Sequence, residues 1–226
     1  MSVRILQSRD AIASAGADLV AEYILSAAAP SLGLAGGSTP ADLYRELTTR
    51  DLPWDSVTCW LGDERWVPVD HPDSNTAMVR NLLTDPTHVR FVAPDTSLAT
   101  PQEAAAAYTD ILPAPGLVLL GIGDDGHTAS LFPHTEGLRS THDAYIANWV
   151  DQKDTWRLTA TFSRLDRADH VVFLVAGAGK ADRIKEIIDH NVAHPAQRVA
   201  ARAQRVTWLL DEAAAGLLNR FQGPGR

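Results

Sequence analysis

The sequence predicts an α/β fold, a mostly parallel sheet with helices on both faces. Two observations predict it. Short apolar runs alternate with helix-like segments along the whole chain. Leu117–Gly121 and His170–Val175 are apolar at successive positions, as strands covered on both faces must be. Such alternation implies right-handed crossovers within one sheet. Sheets of this kind bind ligands beyond the carboxyl ends of their strands.

The elements follow in order. Val3–Leu6 reads as a short strand, and Arg9–Ala28 as a helix with Ile12, Ala15, Leu19, Tyr23 and Ile24 near one face. Ser31–Ala35 is an apolar strand ending at Gly36-Gly37. Pro40–Arg50 is a helix, with Pro40 in a favoured first-turn position. Val57–Leu61 is a strand, Asn75–Leu83 a helix and Val89–Val92 a brief strand. Pro101–Leu112 is an Ala-rich helix, followed by a rigid Pro-Ala-Pro-Gly connector and the strand Leu117–Gly121. Arg157–Phe162 alternates as a strand, and His170–Val175 is a buried one. Gly179–His190 is a helix with Ile184, Ile187 and Ile188 inward. Arg205–Leu210 is the last strand, and Asp211 caps a final Ala-rich helix.

At about 150 residues per domain, 226 residues point to one domain spanning 1–226, with a frayed tail at 222–226. Hydrophobic residues at 45% and charged residues at 21% exclude a disordered or disulfide-built chain. The net charge of −8 disfavours nucleic acid and anionic lipid as partners. The basic cluster Arg198, Arg202 and Arg205 is broken by alanines. One cysteine, Cys59, excludes an internal disulfide and fits a reducing compartment. No run of 18 apolar residues suggests a membrane span, and Met1–Asp10 lacks the apolar core of a signal peptide. The expectation is a cytoplasmic protein that binds neither nucleic acid nor membrane, a monomer with a weak dimer as the alternative.

Four loops carry candidate chemistry, and each follows a predicted strand. Gly36-Gly37-Ser38-Thr39-Pro40 runs into a helix start. Its glycines allow close approach, and free N–H groups with two hydroxyls suit a phosphate. The same residues suit an ordinary capped turn. In Gly62-Asp63-Glu64-Arg65, Arg65 suits a phosphate and Asp63 a sugar hydroxyl. A surface ion-pair cluster is the alternative. Gly121-Ile122-Gly123-Asp124-Asp125-Gly126-His127 contains a G-x-G-x-x-G string, but its two aspartates would repel a pyrophosphate. What remains is a glycine loop presenting His127 beside carboxylates, an arrangement suited to proton transfer. Gly177-Ala178-Gly179-Lys180 fails the Walker A pattern, since Leu174 replaces its first glycine and Ala181 its Ser/Thr. Lys180 suits a phosphate or plain solvent equally.

Other signals are weaker. The remaining histidines show no metal-ligand spacing, and an Asp125/His127 metal site with Asp63 is a minor alternative. Serine-hydrolase and zinc-protease motifs are missing from the sequence. The tryptophans are scattered along the chain and read as packing residues.

Taken together, Gly36-Gly-Ser-Thr-Pro40, Gly62-Asp-Glu-Arg65 with Val67-Pro68 and Asp73-Ser-Asn75, and Gly121-Ile-Gly-Asp-Asp-Gly-His-Thr-Ala-Ser-Leu-Phe-Pro133 resemble the glucosamine-6-phosphate isomerase/6-phosphogluconolactonase family. Gly179-Lys-Ala181 and Trp208-Leu-Leu-Asp-Glu-Ala-Ala214 extend the resemblance to nearly the whole chain. It implies a Rossmann-like fold related to glucosamine-6-phosphate deaminases, ribose-5-phosphate isomerases and CoA transferases. It implies hydrolysis of 6-phospho-D-glucono-1,5-lactone to 6-phospho-D-gluconate in the oxidative pentose phosphate pathway, with no metal or cofactor. His127 and Asp125 are then the expected catalytic pair, His127 as general base on water. The substrate, a small phosphorylated sugar lactone, is expected at Gly37, Ser38, Thr39, Asp63, Arg65, Gly126 and Lys180. Deaminases usually carry Asn before the Gly-His pair and Tyr after Asp-Glu; Asp125 and Arg65 stand there instead. A deaminase or isomerase using Asp63 as base, and a non-catalytic sugar-phosphate sensor, are the alternatives.

Overall fold

The computed structural model describes residues 1–142 and 144–219, so the expected fraying of 222–226 lies outside the described residues. The first half runs β1 (Ser2–Leu6), α1 (Arg9–Ser26), β2 (Ser31–Leu34), α2 (Ser38–Thr48), β3 (Thr58–Leu61), β4 (Asp63–Arg65), α3 (Asn75–Val79), α4 (Asp85–Thr87), β5 (Arg90–Val92) and α5 (Pro101–Ile111). The second half runs β6 (Leu117–Leu120), β7 (Tyr145–Val150), β8 (Thr155–Ala160), α6 (Phe162–Asp166), β9 (His170–Val175), α7 (Ala181–Ile188), α8 (Pro195–Arg202), β10 (Val206–Asp211) and α9 (Glu212–Ala215).

Among the described residues, a seven-stranded sheet has the order β1-β10-β9-β6-β2-β3-β5, with every pair parallel. Strand alternation divides the core between its faces. Leu117, Leu119, Val172, Leu174 and Leu209 pack with Ile12, Val20, Leu43 and Tyr44 from α1 and α2. Val118, Leu120, Val171, Phe173, Trp208 and Leu210 pack with Tyr108, Ile184 and Val199 from α5, α7 and α8. The mostly parallel sheet with helices on both faces is thus observed. From β2 the chain runs outward to β3 and β5; from β6, on the other side of β2, it runs to β9 and β10. The crevice between the ends of β2 and β6 is the switch point where such folds place a ligand.

The helix starts follow local chemistry. Ser8 caps α1, accepting from Ala11 N at 3.2 Å, and Thr100 caps α5, accepting from Glu103 N at 3.2 Å. Asp211 caps α9 through Ala214 N at 2.7 Å and also accepts from Gly177 N at 2.9 Å. Helix α2 begins at Ser38, two residues before the expected Pro40, and α1 ends at Ser26. The expected helix from Asn75 changes at Arg80–Thr84 into a π turn.

A second, antiparallel sheet of order β4-β8-β7 was not expected from the sequence, which read only Arg157–Phe162 as a strand there. Gly62 joins the two sheets. Its N–H donates to Leu34 O in the large sheet at 2.8 Å, and its carbonyl accepts from Ala160 N in the small one at 2.9 Å. Strand β8 ends at Ala160, earlier than expected, because Thr161 caps α6 by accepting from Arg164 N at 3.2 Å. Arg198 and Arg202 of the basic cluster stay exposed but are engaged with the fold. Arg202 pairs with Asp166 at 2.6 Å, and the Arg198 guanidinium lies 3.9 Å over the Phe162 ring. Among the described residues, no helix is long and apolar enough to cross a membrane.

Candidate active site

A cleft of about 320 Å³ opens at the switch point. Its lining includes Ala35 and Gly36 after β2, Asp63 and Arg65 on β4, and Gly121–Gly123 after β6. His127–Ser130, Phe132, Lys153 and Arg157 complete the wall with Asn75. The small sheet therefore supplies one wall, and the carboxyl ends of the parallel strands supply the other.

His127 is held on several sides. Its Nδ1 lies 2.6 Å from Asp125 Oδ1, and its backbone N–H donates to the same oxygen at 3.0 Å. An ionised carboxylate only accepts, so in the neutral imidazole the proton sits on Nδ1 and Nε2 keeps its lone pair. Burial works to raise the Asp125 carboxyl, but the His127 backbone N–H, charge and ring outweigh it and hold the carboxyl below its usual range. The Phe132 ring stacks on the imidazole with centroids 3.9 Å apart and planes 25° apart. Gly123 forms the floor, where an added Cβ would fall within the imidazole. Gly123 N also donates to His127 O at 2.9 Å.

The loop around His127 is buttressed from behind. Gly126 has φ of 82°, a value natural to glycine. Its N–H donates to Gly123 O at 3.0 Å, and its carbonyl accepts from Ala196 N at 3.1 Å. Both backbone groups of Gly126 are therefore already engaged. Asp124 receives Lys180 Nζ at 2.5 Å on its carboxylate and Arg183 Nε at 3.0 Å on its carbonyl. The Lys180 hydrogen bond, with its charge, holds the Asp124 carboxyl below the usual range.

The opposite wall is cationic. Arg65 and Arg157 sit directly opposite each other in the β4–β8 register, so they share a face of the small sheet. Arg65 donates to Asp73 O, while the buried Arg157 Nε has no hydrogen-bond partner. Burial, then the Arg65 charge, push the Arg157 guanidinium below its ordinary value. Two guanidiniums on one face with a partnerless N–H suit an anion between them.

Beneath Arg65, Glu64 is fully buried and fixes the whole wall. Its carboxylate accepts from Arg65 N at 2.7 Å, Asn75 N at 2.8 Å and Thr76 N at 2.6 Å. It also accepts from Thr76 Oγ1 at 2.6 Å and Ser74 Oγ at 3.3 Å. A carboxylate at the start of α3 meets N–H groups that have no helical partner. Asp63, 9% exposed, accepts from Ser130 Oγ at 2.7 Å and from Asn75 Nδ2 through its carbonyl at 2.8 Å.

Of the residues expected from the sequence, His127, Asp63 and Arg65 line the cleft, and Asp125 stands behind His127. Gly37, Ser38 and Thr39 lie just beyond the lining at the start of α2, which has no side-chain cap bond. Gly126 and Lys180 lie outside the lining, Lys180 on Asp124. Sequence reading missed Arg157, Lys153, Ser130 and Phe132 as cleft residues. Arg157 and Lys153 carry no local motif; strand pairing brings Arg157 to Arg65, and the turn between β7 and β8 carries Lys153 into the cleft. Ser130 and Phe132 lie within the same Gly121–Pro133 string as His127, so sequence proximity was an available signal.

Residues 7–208 match the family model described as glucosamine-6-phosphate isomerases/6-phosphogluconolactonase. A 6-phosphogluconolactonase from Synechocystis sp. is 40% identical over 202 residues, covering 81% of this chain and 82% of the relative. One from Homo sapiens is 33% identical over 245 residues, covering 96% and 93%. The solved structure of 6-phosphogluconolactonase from Trypanosoma brucei superposes with a TM-score of 0.85 at 27% identity, covering 95% of this chain and 97% of that one. A monomeric glucosamine-6-phosphate deaminase at 23% identity and a TM-score of 0.84 shares the fold. With its sheet order, its cleft at the switch point and these matches, the chain belongs to the glucosamine-6-phosphate isomerase/6-phosphogluconolactonase family and groups with its lactonases.

Proposed function

We propose that the chain hydrolyses 6-phospho-D-glucono-1,5-lactone to 6-phospho-D-gluconate, a step of the oxidative pentose phosphate pathway. The observation that carries the reading is one cleft with the His127–Asp125 pair on one wall and Arg65 with Arg157 on the other. A phosphorylated lactone needs both a base at its carbonyl and cations at its far end.

In this reading, Nε2 of His127 takes a proton from water as the water oxygen attacks the lactone carbonyl carbon. The carbonyl electrons move onto oxygen, a charge that backbone N–H groups near Gly37 would meet. Collapse breaks the bond between the carbonyl carbon and the ring oxygen. The imidazolium returns its proton to the ring oxygen, which leaves as a hydroxyl, and the new acid ionises. Asp125 keeps the tautomer and steadies the imidazolium. Asp63, with one oxygen on Ser130, accepts from a sugar hydroxyl. Arg65, Arg157 and Lys153 hold the phosphate, with Ser38 and Thr39 at the rim; an entering dianion competes with the single Asp124 carboxylate for Lys180. The cleft lining comes from this one chain, which fits a monomer, and the single cysteine, buried, fits a reducing, cytoplasmic setting.

The test is initial-rate hydrolysis of freshly made lactone above its spontaneous rate, with His127→Ala alongside. Turnover that disappears in the variant supports the lactonase and its base. Ammonia release from glucosamine 6-phosphate in place of lactone turnover would replace this reading with a deaminase. Binding of 6-phosphogluconate without any turnover would replace it with a sensor.

A further inference from the structure

We infer that Phe132 is a positioning residue that stabilises the charged form of His127. The ring covers one face of the imidazole at 3.9 Å between centroids and 25° between planes, which puts its negative π face against that ring. Phe132 is 5% exposed and packed in place, while the His127 side chain keeps 26% of its surface in contact with solvent. The contact therefore acts on a ring that can still exchange a proton, and it favours imidazolium over imidazole. This deepens the general-base reading, in which the imidazolium exists only while the carbonyl carbon is tetrahedral.

Other charges also face His127. Asp125 and Asp124 lie on its own loop, with Lys180 and Arg183 attached to Asp124. His194, paired with Glu186, lies behind Gly126. Asp63, Arg65, Arg157 and Lys153 face it from the rest of the cleft. All are common to variants at residue 132, so differences among those variants report the ring alone.

The experiment replaces Phe132 site-specifically with mono-, di- and trifluorophenylalanine. The substitution withdraws charge from the ring face in steps while the covering shape is nearly kept. The readout is the His127 titration by NMR, assigned with His127→Ala. The expected result is a stepwise fall of the midpoint, about 0.4–0.7 pH units in total for a contact of ordinary cation–π strength. A flat or rising series overturns the inference. Phe132→Leu, which keeps an apolar cover without a π face, gives a second reading and should also lower the midpoint. The acid limb of kcat/KM should move with the NMR midpoint. If the midpoint moves and the limb does not, the general-base reading fails while the ring–imidazolium contact stands.

Discussion

At the residue scale, the two walls of the cleft predict opposite kinetic signatures. In the proposed mechanism His127 acts on the reacting atoms, so His127→Ala should lower kcat by about 10²–10⁴-fold and leave KM within a few-fold. In the same proposal Arg157 touches only the far end of the substrate. A charge-assisted hydrogen bond is worth about 1.5–3 kcal/mol, so Arg157→Ala should raise KM by about 10–100-fold with kcat little changed. Steady-state kinetics on both variants decide the matter. An Arg157→Ala enzyme with unchanged KM would remove that guanidinium from the phosphate site. His127 was legible because a glycine loop ending in Asp-Gly-His is an unusual local string. Arg157 was not, because an arginine within an alternating strand looks like any solvated residue until its partner across the sheet is known.

At the scale of elements, the loops after β4 and β6 are set by close contacts. Gly123 does not have a positive φ, so Ala is conformationally permitted there, but its Cβ would fall within the His127 imidazole. The ring must then leave Asp125. Gly123→Ala should cost about 10²-fold in kcat, as small misplacements of reacting groups do, while circular dichroism and melting change little. An unaltered kcat would show that the loop gives way without moving the ring. From β4, the Glu64 carboxylate reaches the start of α3 and accepts hydrogen bonds from backbone and hydroxyl donors. Glu64→Gln turns acceptors into donors facing donors, and should cost about 2–3 kcal/mol. At about 2–4 °C per kcal/mol for a chain of this size, calorimetry should show a drop of about 4–12 °C. The Asp211 cap was readable in advance, because capping is a local pairing of a short side chain with free N–H groups, and Ser8 and Thr100 cap α1 and α5 by the same rule. Strands β4 and β7 were not, since a three-residue strand has no periodicity and Tyr145–Val150 pairs with no sequence neighbour except through its hairpin.

At the scale of the molecule, acid stability depends on a histidine far from the cleft. His170 begins β9, is 5% exposed, and has Nε2 2.9 Å from Thr207 Oγ1. Burial first, then the charges of Arg205 and Arg4, push it down to about 4 from an ordinary 6.5. The folded protein thus keeps His170 neutral where the unfolded chain already binds a proton. Its contribution is complete above about pH 6.5 and is lost as pH falls from 6.5 towards 4. The loss should be about 1–3 kcal/mol. Urea denaturation of the parent and of His170→Gln across that window should give a steeper decline for the parent. Parallel declines would assign the acid sensitivity to other groups.

The order of the seven parallel strands and of helices α1, α2, α5, α7 and α9, the burial of the sheet on both faces, the Asp211 cap and the His127 loop were legible in the sequence itself. Each rests on short-range regularities: apolar periodicity, glycine where the backbone must turn tightly, and hydroxyls or carboxylates at helix starts. The tertiary structure alone decided the second sheet, the hinge at Gly62, the pairing of Arg65 with Arg157, the attachment of Lys180 to Asp124 and the stacking of Phe132 on His127. Those features join residues from 5 to 98 positions apart. Pairing at such distances is selected by the total packing of the sheet and leaves little local pattern in either partner.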